Sequence, residues 1–294
     1  MRGWRVRAFA KINLSLHVLG RRADGYHELR TIFQSIALHD TLTIRRSRGG
    51  FELTSTDPRC PADRTNLVSR AAEQVWNAAG RRGLPQGVAV DIVKRIPVEA
   101  GLGGGSSDAA AAIRAFGTLW RVDEARQRDI AAALGADVPY FLEGGTVLGL
   151  ERGDLLFPLI DRPAGWLVVV VPAIAVSTRE AFDWFDHVDR SRYGGQVPVG
   201  GPVPVNDLEA SVVGRHPEIG RLITSLREQR GASAAGMSGS GSAVFATFEK
   251  RADAERAARR VGRDDPRPPH RLVTVAQTLA RAAYQRLAAT QRIG

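Results

Sequence analysis

Residues 96–113, IPVEAGLGGGSSDAAAAI, have glycine at four of the five positions 101–105. The alternating stretch VAVDIVKRI before them predicts a β-strand, and the alanine-rich stretch after them predicts an α-helix with Ser106 or Ser107 as its N-cap. A strand, a glycine turn and a helix N-terminus form an anion receptor, because glycine lets an anion approach the free backbone amides. The segment therefore predicts a phosphate site.

The two commonest nucleotide-binding fingerprints do not fit this segment. A Walker A loop needs a lysine directly after its last glycine, and the chain has lysine only at positions 11, 94 and 250. The GxGxxG pattern fails because Ser106 stands where the third glycine belongs.

The carboxylate of Asp108, in the first turns of the predicted helix, would repel a bound phosphate, so we expect it to cap the helix or face away. A glycine turn needed only for packing remains the alternative.

Strand and helix patterns follow one another without a regular β-α repeat. RVRAFAKINLSLHV at 5–18 alternates and predicts a half-buried strand with one polar and one apolar face. Helices are predicted at 65–79, with Thr65 or Asn66 as N-cap, and at about 123–134. This order favours an α+β fold over a doubly wound sheet.

The length of 294 residues predicts two domains, at roughly 100 to 200 residues per domain. We place the division after residue 155, giving domains 1–155 and 156–294. The second begins near the apolar run WLVVVVP at 166–172, which predicts a buried strand, and it contains a second glycine-serine segment at 234–248. Residues 189–204 are rich in glycine and proline and predict a surface loop.

The formal net charge of +10 raises the question of an anionic partner. Only three of the 41 basic residues are lysine, and the arginines are scattered rather than gathered into a basic arm with interleaved aromatics. We therefore predict no nucleic-acid partner. A noncatalytic RNA-binding protein stays open as the alternative from a different class of function.

The composition and the apolar runs predict a cytoplasmic protein with no membrane partner. The longest apolar runs fall well short of the roughly 20 residues that cross a bilayer, and the N-terminus lacks a signal-peptide core. Cys60 is the only cysteine, which excludes an internal disulfide. The six histidines are not spaced like a zinc site, so metal ligands stay unassigned, as does the oligomeric state.

Three segments resemble the three motifs of the GHMP kinases, in the right order: KINLSL at 11–16, PVEAGLGGGSSDAAA at 97–111 and GMSGSGSAVF at 236–245. The resemblance spans nearly the whole chain. It implies two α+β domains, an N-terminal ribosomal-protein-S5-domain-2-like domain and a C-terminal ferredoxin-like domain, with the active site in the cleft between them.

Three further segments resemble one branch of that superfamily: AKINLSLHVLGRRADGYHEL at 10–29, GADVPYF at 135–141 and NDLE at 206–209. This branch implies ATP-dependent phosphorylation of the 2-hydroxyl of 4-diphosphocytidyl-2-C-methyl-D-erythritol, in the non-mevalonate pathway to isoprenoid precursors. The implied partners are ATP, with Mg²⁺, and a cytidine diphosphate-linked polyol. Another GHMP kinase, acting on homoserine, mevalonate or a sugar, is the nearest alternative.

The resemblance also implies the residues of the site. Those implied to bind ATP are Pro97, Val98, Glu99, Ala100, Gly101, Leu102, Gly103, Gly104, Gly105, Ser106, Ser107, Ser240 and Gly241. Those implied to bind the acceptor are Asn13, Tyr26, His27, Thr178 and Phe182, with Tyr26 against the cytosine ring. The implied catalytic pair is Asp137, as general base, and Lys11.

Two of these positions stand out. Where the family usually has a small residue, this chain has Glu99, which would be unfavourable beside a triphosphate if its side chain pointed inward. Considered without the family resemblance, Lys11 is predicted to be an exposed strand lysine. However, almost all other basic residues of this chain are arginine. A lysine kept near Asn13 on a polar strand face therefore indicates that the position requires a compact ammonium group.

Overall fold

Two β-sheets and the helices packed on them make up the part of the chain that the computed structural model describes, residues 3–187, 205–264 and 270–294. The strands are β1 (Gly3–Arg21), β2 (His27–Gly50), β3 (Glu52–Ser55), β4 (Gln86–Val93), β5 (Thr146–Glu151), β6 (Leu155–Pro158), β7 (Trp166–Pro172), β8 (Val205–Asn206), β9 (Ala232–Met237), β10 (Val244–Phe248), β11 (His270–Gln277) and β12 (Gln291–Ile293). The helices are α1 (Leu67–Ala78), α2 (Gly104–Trp120), α3 (Glu124–Leu134), α4 (Tyr140–Glu143), α5 (Thr178–Asp186), α6 (Glu209–Arg215), α7 (Pro217–Arg227), α8 (Arg251–Asp264) and α9 (Arg281–Ala288). The predicted α+β fold is confirmed.

The larger sheet is built around the long antiparallel hairpin of β1 and β2. Strands β4 and then β3 extend the sheet beyond one half of β2, whereas β5 and then β6 extend it beyond the other half. The start of β1 pairs with β12, and its later part pairs with β8. Helices α1, α2, α3 and α4 share one core with this sheet, and that core includes Val68, Ile113, Phe116 and Phe141.

The smaller sheet has four antiparallel strands in the order β11-β7-β10-β9. Its β7 is the predicted buried strand WLVVVVP, and both of its faces are covered. Val168 and Val170 pack with helices α6, α7 and α8. Val169 and Val171 point the other way and pack with the centre of β1. This second face therefore joins the two sheets.

The centre of β1 is buried on both faces, so the prediction of a half-buried strand is wrong. Its apolar Ile12 and Leu14 pack with the smaller sheet and with Ala100 and Leu102 of the glycine segment. On the polar face, Lys11 is 4% exposed and Asn13 is 2% exposed. The reason is tertiary: other parts of the chain cover a polar face that alternation alone assigns to solvent.

The helix boundaries confirm part of the capping prediction and correct the rest. Asn66 caps α1, because its side chain accepts a hydrogen bond from the Val68 amide. Helix α2 begins at Gly104, earlier than predicted, and its N-cap is Gly103 at φ 70° rather than Ser106 or Ser107. A left-handed cap favours glycine, and the Ser107 hydroxyl instead donates to the Phe9 carbonyl at 2.7 Å.

The division into domains 1–155 and 156–294 stays a prediction. In the structure, β6 and β12 both belong to the larger sheet, although both lie in the second half of the chain. The loop predicted at 189–204 lies outside the described residues. None of the described helices has the length and apolar character that a bilayer crossing requires.

Candidate active site

A cavity of about 850 Å³ is lined by elements that pack on both sheets. Most of the predicted site residues line it: Lys11, Asn13, Tyr26, His27, Pro97, Val98, Glu99, Ala100, Gly101, Gly103, Gly104, Gly105, Ser106, Asp137, Thr178, Phe182 and Ser240. The structure therefore brings together residues that lie more than two hundred positions apart in the sequence. Leu102, Ser107 and Gly241 were also predicted, but they are not part of the lining.

We call residues 100–105 the glycine loop. Hydrogen bonds to the backbone carbonyls of residues 100–102 hold this loop from both sides. The Lys11 amide of β1 donates to the Leu102 carbonyl at 3.1 Å. The Ala243 amide, in the second glycine-serine segment, donates to the Ala100 carbonyl at 3.1 Å. The Ser238 hydroxyl donates to the Gly101 carbonyl at 3.0 Å. The loop is thus fixed between β1 and the segment that precedes β10.

Neighbouring protein atoms explain three of the four glycines in this loop. A Cβ on Gly101, whose φ is +72°, would lie 2.1 Å from the Ser238 carbonyl oxygen. A Cβ on Gly103 would lie 2.6 Å from the Phe141 ring, and one on Gly104 would lie 3.0 Å from Ile96. Only Gly105 has open space around the missing Cβ. Packing and anion binding therefore both contribute, and Gly105 is the position open to a ligand.

The N-terminus of α2 offers free amides to the cavity. The first backbone hydrogen bond of this helix runs from the Ser107 amide to the Gly103 carbonyl at 2.9 Å, so the amides of residues 104–106 have no partner within the helix. The helix dipole adds partial positive charge at the same place. This end of the cavity is suited to bind phosphate groups.

Two of the predicted ATP contacts are used for structure instead. Leu102 is 1% exposed, and its side chain belongs to the core that joins the sheets. Ser107 is 1% exposed, and both its amide and its hydroxyl already have protein acceptors. Neither side chain reaches the cavity.

Lys11 and Asp137 meet on the cavity wall. Lys11 Nζ lies 3.7 Å from Asp137 Oδ2 and donates a hydrogen bond to Asn13 Oδ1 at 2.7 Å. The Asn13 amide group in turn donates to the Thr31 hydroxyl at 2.7 Å, which fixes its orientation. Lys11 is almost fully buried, whereas the Asp137 side chain is 36% exposed. The carboxylate is therefore accessible from the cavity, and the ammonium behind it is held in place.

Burial lowers the pKa of Lys11 from its ordinary value, and the nearby Asp137 carboxylate partly offsets that effect. Removing an ammonium from water penalises its charged form, whereas an adjacent anion favours it. Asp137 is thus the group that favours the charged form of Lys11.

The second glycine-serine segment contacts the site through one predicted residue, Ser240, and through one that was not predicted, Gly239. Ser240 lines the cavity, and its hydroxyl lies 3.3 Å from that of Thr178. Gly241 instead packs against Met237 and the glycine loop. Gly239 is the missed residue: a Cβ there would lie 3.2 Å from both Lys11 Nζ and Asn13 Oδ1.

Aromatic and charged side chains line the end of the cavity beyond Asp137. His27 stacks on Phe182, with ring centroids 4.5 Å apart, and its Nε2 lies 2.9 Å from Asp186 Oδ1. Tyr26 is 55% exposed, and the Arg152 guanidinium lies 5.2 Å from its ring centroid. Arg152 and Asp186 were not predicted.

One group of lining residues was missed entirely. It consists of Cys60, Pro61, Thr65, Asn66 and Leu67, before and at the start of α1. The capped helix was predicted, but nothing in its local pattern connects it to the loop some 35 residues later. The packing of α1 on α2 brings the two together.

Glu99 is exposed at the cavity wall, with φ at +56°. Glycine adopts this left-handed conformation without strain, whereas other residues pay roughly 1–2 kcal/mol for it. Within the described residues, no group of three or more His, Cys, Asp and Glu side chains is arranged to hold a metal ion.

Both halves of the chain match known families. The GHMP kinases N terminal domain matches residues 66–145, and the GHMP kinases C terminal domain matches residues 203–266. Together with the fold and the cavity, these matches define the class as the GHMP kinases. A homoserine kinase from Cytophaga hutchinsonii shares the fold. It is 16% identical, with a TM-score of 0.66 over 98% of this chain and 97% of its own.

More similar relatives identify the family within that class. The 4-diphosphocytidyl-2-C-methyl-D-erythritol kinase of Rhizorhabdus wittichii is 41% identical over 88% of this chain and 90% of its own. The kinase of the same name from Solibacter usitatus is 41% identical over 96% of this chain and 92% of its own. A crystal structure of 4-(cytidine 5'-diphospho)-2C-methyl-D-erythritol kinase is 32% identical in sequence. It matches with a TM-score of 0.70 over 98% of this chain and 97% of its own. The chain belongs to the 4-diphosphocytidyl-2-C-methyl-D-erythritol kinase family, which confirms the resemblance found in the sequence and implies ATP as the phosphoryl donor.

Alanine at Gly101 should destabilise the protein, whereas alanine at Gly105 should leave its stability almost unchanged. Gly101→Ala should lower the free energy of unfolding by more than about 2 kcal/mol, because strain at positive φ and a backbone clash add together. Gly105→Ala should leave it within about 1 kcal/mol of wild type, since alanine is favourable in a helix. Urea denaturation measures both, with Gly214→Ala, also in open space, as the control.

The same pair should separate packing from ligand binding. Gly105→Ala should weaken binding of a nonhydrolysable ATP analogue at least about tenfold, because the added methyl group occupies the open space beside the free amides. Unchanged affinity in this folded variant would mean that the phosphates bind elsewhere.

Proposed function

We propose that this chain transfers the γ-phosphoryl group of ATP to the 2-hydroxyl of 4-diphosphocytidyl-2-C-methyl-D-erythritol, forming the 2-phosphate and ADP. The observation that carries this proposal is the position of the Lys11–Asp137 pair. It lies in one continuous cavity with the free amides of α2 and with the aromatic end formed by Tyr26, His27 and Phe182. Relatives of about 40% identity bear the corresponding name.

In this proposal, the triphosphate of ATP binds at the amides of residues 104–106. The unpaired amides and the helix dipole both favour an anion there. The adenosine part extends toward the start of α1, where Asn66 and Leu67 line the cavity opposite Pro97. The glycine loop is fixed before ATP arrives, so little backbone ordering opposes binding.

Asp137 acts as the general base. The proton of the 2-hydroxyl moves to the Asp137 carboxylate, the hydroxyl oxygen forms a bond to the γ-phosphorus, and the bond from that phosphorus to the bridging oxygen of ADP breaks. A carboxylate is a weak base for an alcohol, so the step needs a cation that stabilises the developing negative charge. The buried ammonium of Lys11, held by Asn13, occupies that position.

The aromatic end binds the cytidyl part of the acceptor. Tyr26 is exposed in the cavity and available to stack on the base. His27 is held from two sides by Phe182 and Asp186, which orients its ring. Arg21, Arg152 and Arg179 line the same end and supply positive charge for the acceptor diphosphate.

Mg²⁺ belongs to this proposal as the ion that accompanies ATP. When bound, it neutralises part of the phosphate charge. The described side chains offer no carboxylate cage for it, so the nucleotide phosphates are its main ligands and no step above depends on a protein-bound ion. The cytoplasmic location also stays a prediction.

The acceptor is tested by a coupled ADP-release assay on the purified chain. We expect turnover with 4-diphosphocytidyl-2-C-methyl-D-erythritol and a product phosphorylated at the 2-hydroxyl, located by phosphorus NMR. Mevalonate and homoserine should give no turnover. Phosphorylation of either one, without phosphorylation of the cytidyl compound, would reject the proposed acceptor and favour another GHMP kinase activity. Salt-sensitive RNA binding with no ATP turnover would favour the noncatalytic alternative.

Asp137→Asn should lower kcat by about 100-fold or more, because the general base is lost. The Kd of an ATP analogue should stay within about twofold, because the proposed phosphate contacts are the amides of α2 and not the Asp137 carboxylate. Asp129→Asn makes the same chemical change at an exposed position on α3 and serves as the control. A kcat near that of wild type would rule out Asp137 as the base.

Tyr26→Ala should raise the KM for the acceptor roughly 5- to 150-fold, the equivalent of about 1–3 kcal/mol of stacking. Tyr26→Phe keeps the ring and should leave KM within about threefold. If the alanine variant keeps the wild-type KM, the cytosine ring is recognised elsewhere.

A further inference from the structure

A buried charge cluster lies beneath the glycine loop, and the phosphoryl-transfer step does not use it. Lys94 Nζ donates to Asp40 Oδ2 at 2.5 Å and to Asp108 Oδ2 at 2.7 Å. All three side chains are at most 4% exposed. A Cβ on Gly104 would lie 3.4 Å from Lys94 Nζ, so the cluster is in contact with the first residue of α2. We call these three residues the Lys94 cluster.

The two carboxylates of the cluster differ in their partners. Asp40 Oδ1 accepts hydrogen bonds from the amides of Arg95 and Ile96, and its Oδ2 accepts from Lys94. Asp108 Oδ2 accepts a hydrogen bond from Lys94, and Asp108 Oδ1 is buried without a hydrogen-bond partner among the described residues. Asp108 therefore does not cap the helix, as one of the two expectations had it, and its side chain is directed toward Lys94 instead. An ionised oxygen that is buried and unpaired is costly, so a proton is accommodated more easily on Asp108 than on Asp40.

The position of the cluster makes its charge matter for ATP. With both carboxylates ionised, one ammonium and two carboxylates leave a net charge of −1. Asp108 lines the same cavity as the free amides of α2, where the triphosphate is proposed to bind. A buried anion repels a second anion strongly, because little water screens the pair. A proton on Asp108 removes that repulsion and leaves Asp40 and Lys94 as a balanced pair.

We propose that Asp108 is protonated in the nucleotide complex, and that ATP binding is linked to uptake of one proton from solvent wherever Asp108 is ionised in the free protein. The proton forms an O–H bond at Asp108 Oδ1, and no other bond forms or breaks. The inference rests on the ATP-binding part of the proposed function and not on the identity of the acceptor. Asp108 is a positioning residue here, because it acts through the charge beneath the loop.

The surroundings of Asp108 support this assignment. Burial, opposed by Lys94 and reinforced by Asp40, raises the pKa of Asp108 to about 8. Burial alone would lower the pKa of Lys94, but Asp108 and Asp40 outweigh it and raise that pKa, so Lys94 stays charged. The cluster therefore gains its proton at Asp108.

The other charged and titratable groups that face this region are few. Lys11 of β1, Glu99 just before the glycine loop and Asp137 after α3 line the same cavity. The buried residues of α1 and α3 are uncharged. Helix α4 contributes Tyr140, whose pKa burial raises well above its ordinary value, so it stays neutral. None of these groups pairs with Asp108 Oδ1.

The sign of the pH dependence follows from the raised pKa. Below pH 8, Asp108 already holds its proton in the free protein, so binding takes up little: about 0.1 proton at pH 7. Above pH 8 the free protein is ionised and must take up a proton to bind, about 0.9 at pH 9. The Kd should accordingly be about tenfold weaker at pH 9 than at pH 7.

Isothermal titration calorimetry of the full chain with a nonhydrolysable ATP analogue, without acceptor, tests this link. Titrations at pH 7 and pH 9, each in two buffers of different ionisation heat, give the number of protons taken up. The proteins are wild type, Asp108→Asn and the surface control Asp129→Asn. Protons from the analogue itself contribute equally to all three, so the difference between wild type and Asp108→Asn isolates Asp108.

We expect about 0.8 proton more uptake at pH 9 than at pH 7 in wild type and in Asp129→Asn, relative to Asp108→Asn. The tenfold change in Kd should be absent from Asp108→Asn. Equal proton uptake by wild type and Asp108→Asn at pH 9 would overturn the proposal. A loss of affinity that is the same at both pH values would also overturn it, because that is the mark of a purely structural role.

A measurement on wild type alone covers the case in which Asp108→Asn does not fold. Infrared difference spectra on adding the analogue at pH 9 should gain a protonated carboxyl band, and no such band would contradict the proposal. If wild type binds no analogue at either pH, the ATP site of the proposed function fails as well. Turnover with a different acceptor would reject the proposed substrate alone.

Discussion

The site depends on the backbone hydrogen bonds that hold the glycine loop between β1 and the segment before β10. The Lys11 amide holds one side of the loop through Leu102, and the Ala243 amide holds the other through Ala100. Both contacts lie beside the apolar core in which Ile12 and Phe245 join the two sheets. The same packing that assembles the fold therefore also fixes the amides at the start of α2 that are proposed to bind the phosphates.

Burial of charge is the second constraint, and it acts at two places around that loop. On β1, the Lys11 ammonium is buried next to a carboxylate that remains accessible from the cavity. Below the loop, Lys94 is buried between two carboxylates, only one of which has all its oxygens paired. In the first case burial lowers the pKa of a lysine beside an accessible carboxylate, and in the second it leaves Asp108 Oδ1 without a hydrogen-bond partner.

Local patterns predicted most of the elements around the site but not their contacts. The cap of α1, the approximate extent of α3 and the alternation of β1 were readable because each depends on residues within one or two turns or strand repeats. The start of α2 was misjudged, since glycine in a left-handed conformation replaced a serine cap. Arg152, Asp186 and the start of α1 were missed because nothing local ties them to the loop.

By itself, the sequence determined the class of the protein. The glycine loop and the motif residues Lys11 and Asp137 are recognisable from residue type and spacing alone. Only the tertiary structure decided which glycines pack against protein neighbours and which one, Gly105, has open space beside it. It also decided that the polar face of β1 is buried, and that Asp40 and Asp108 share one lysine. These outcomes depend on contacts between segments distant in the chain, and such contacts arise when the two sheets pack together.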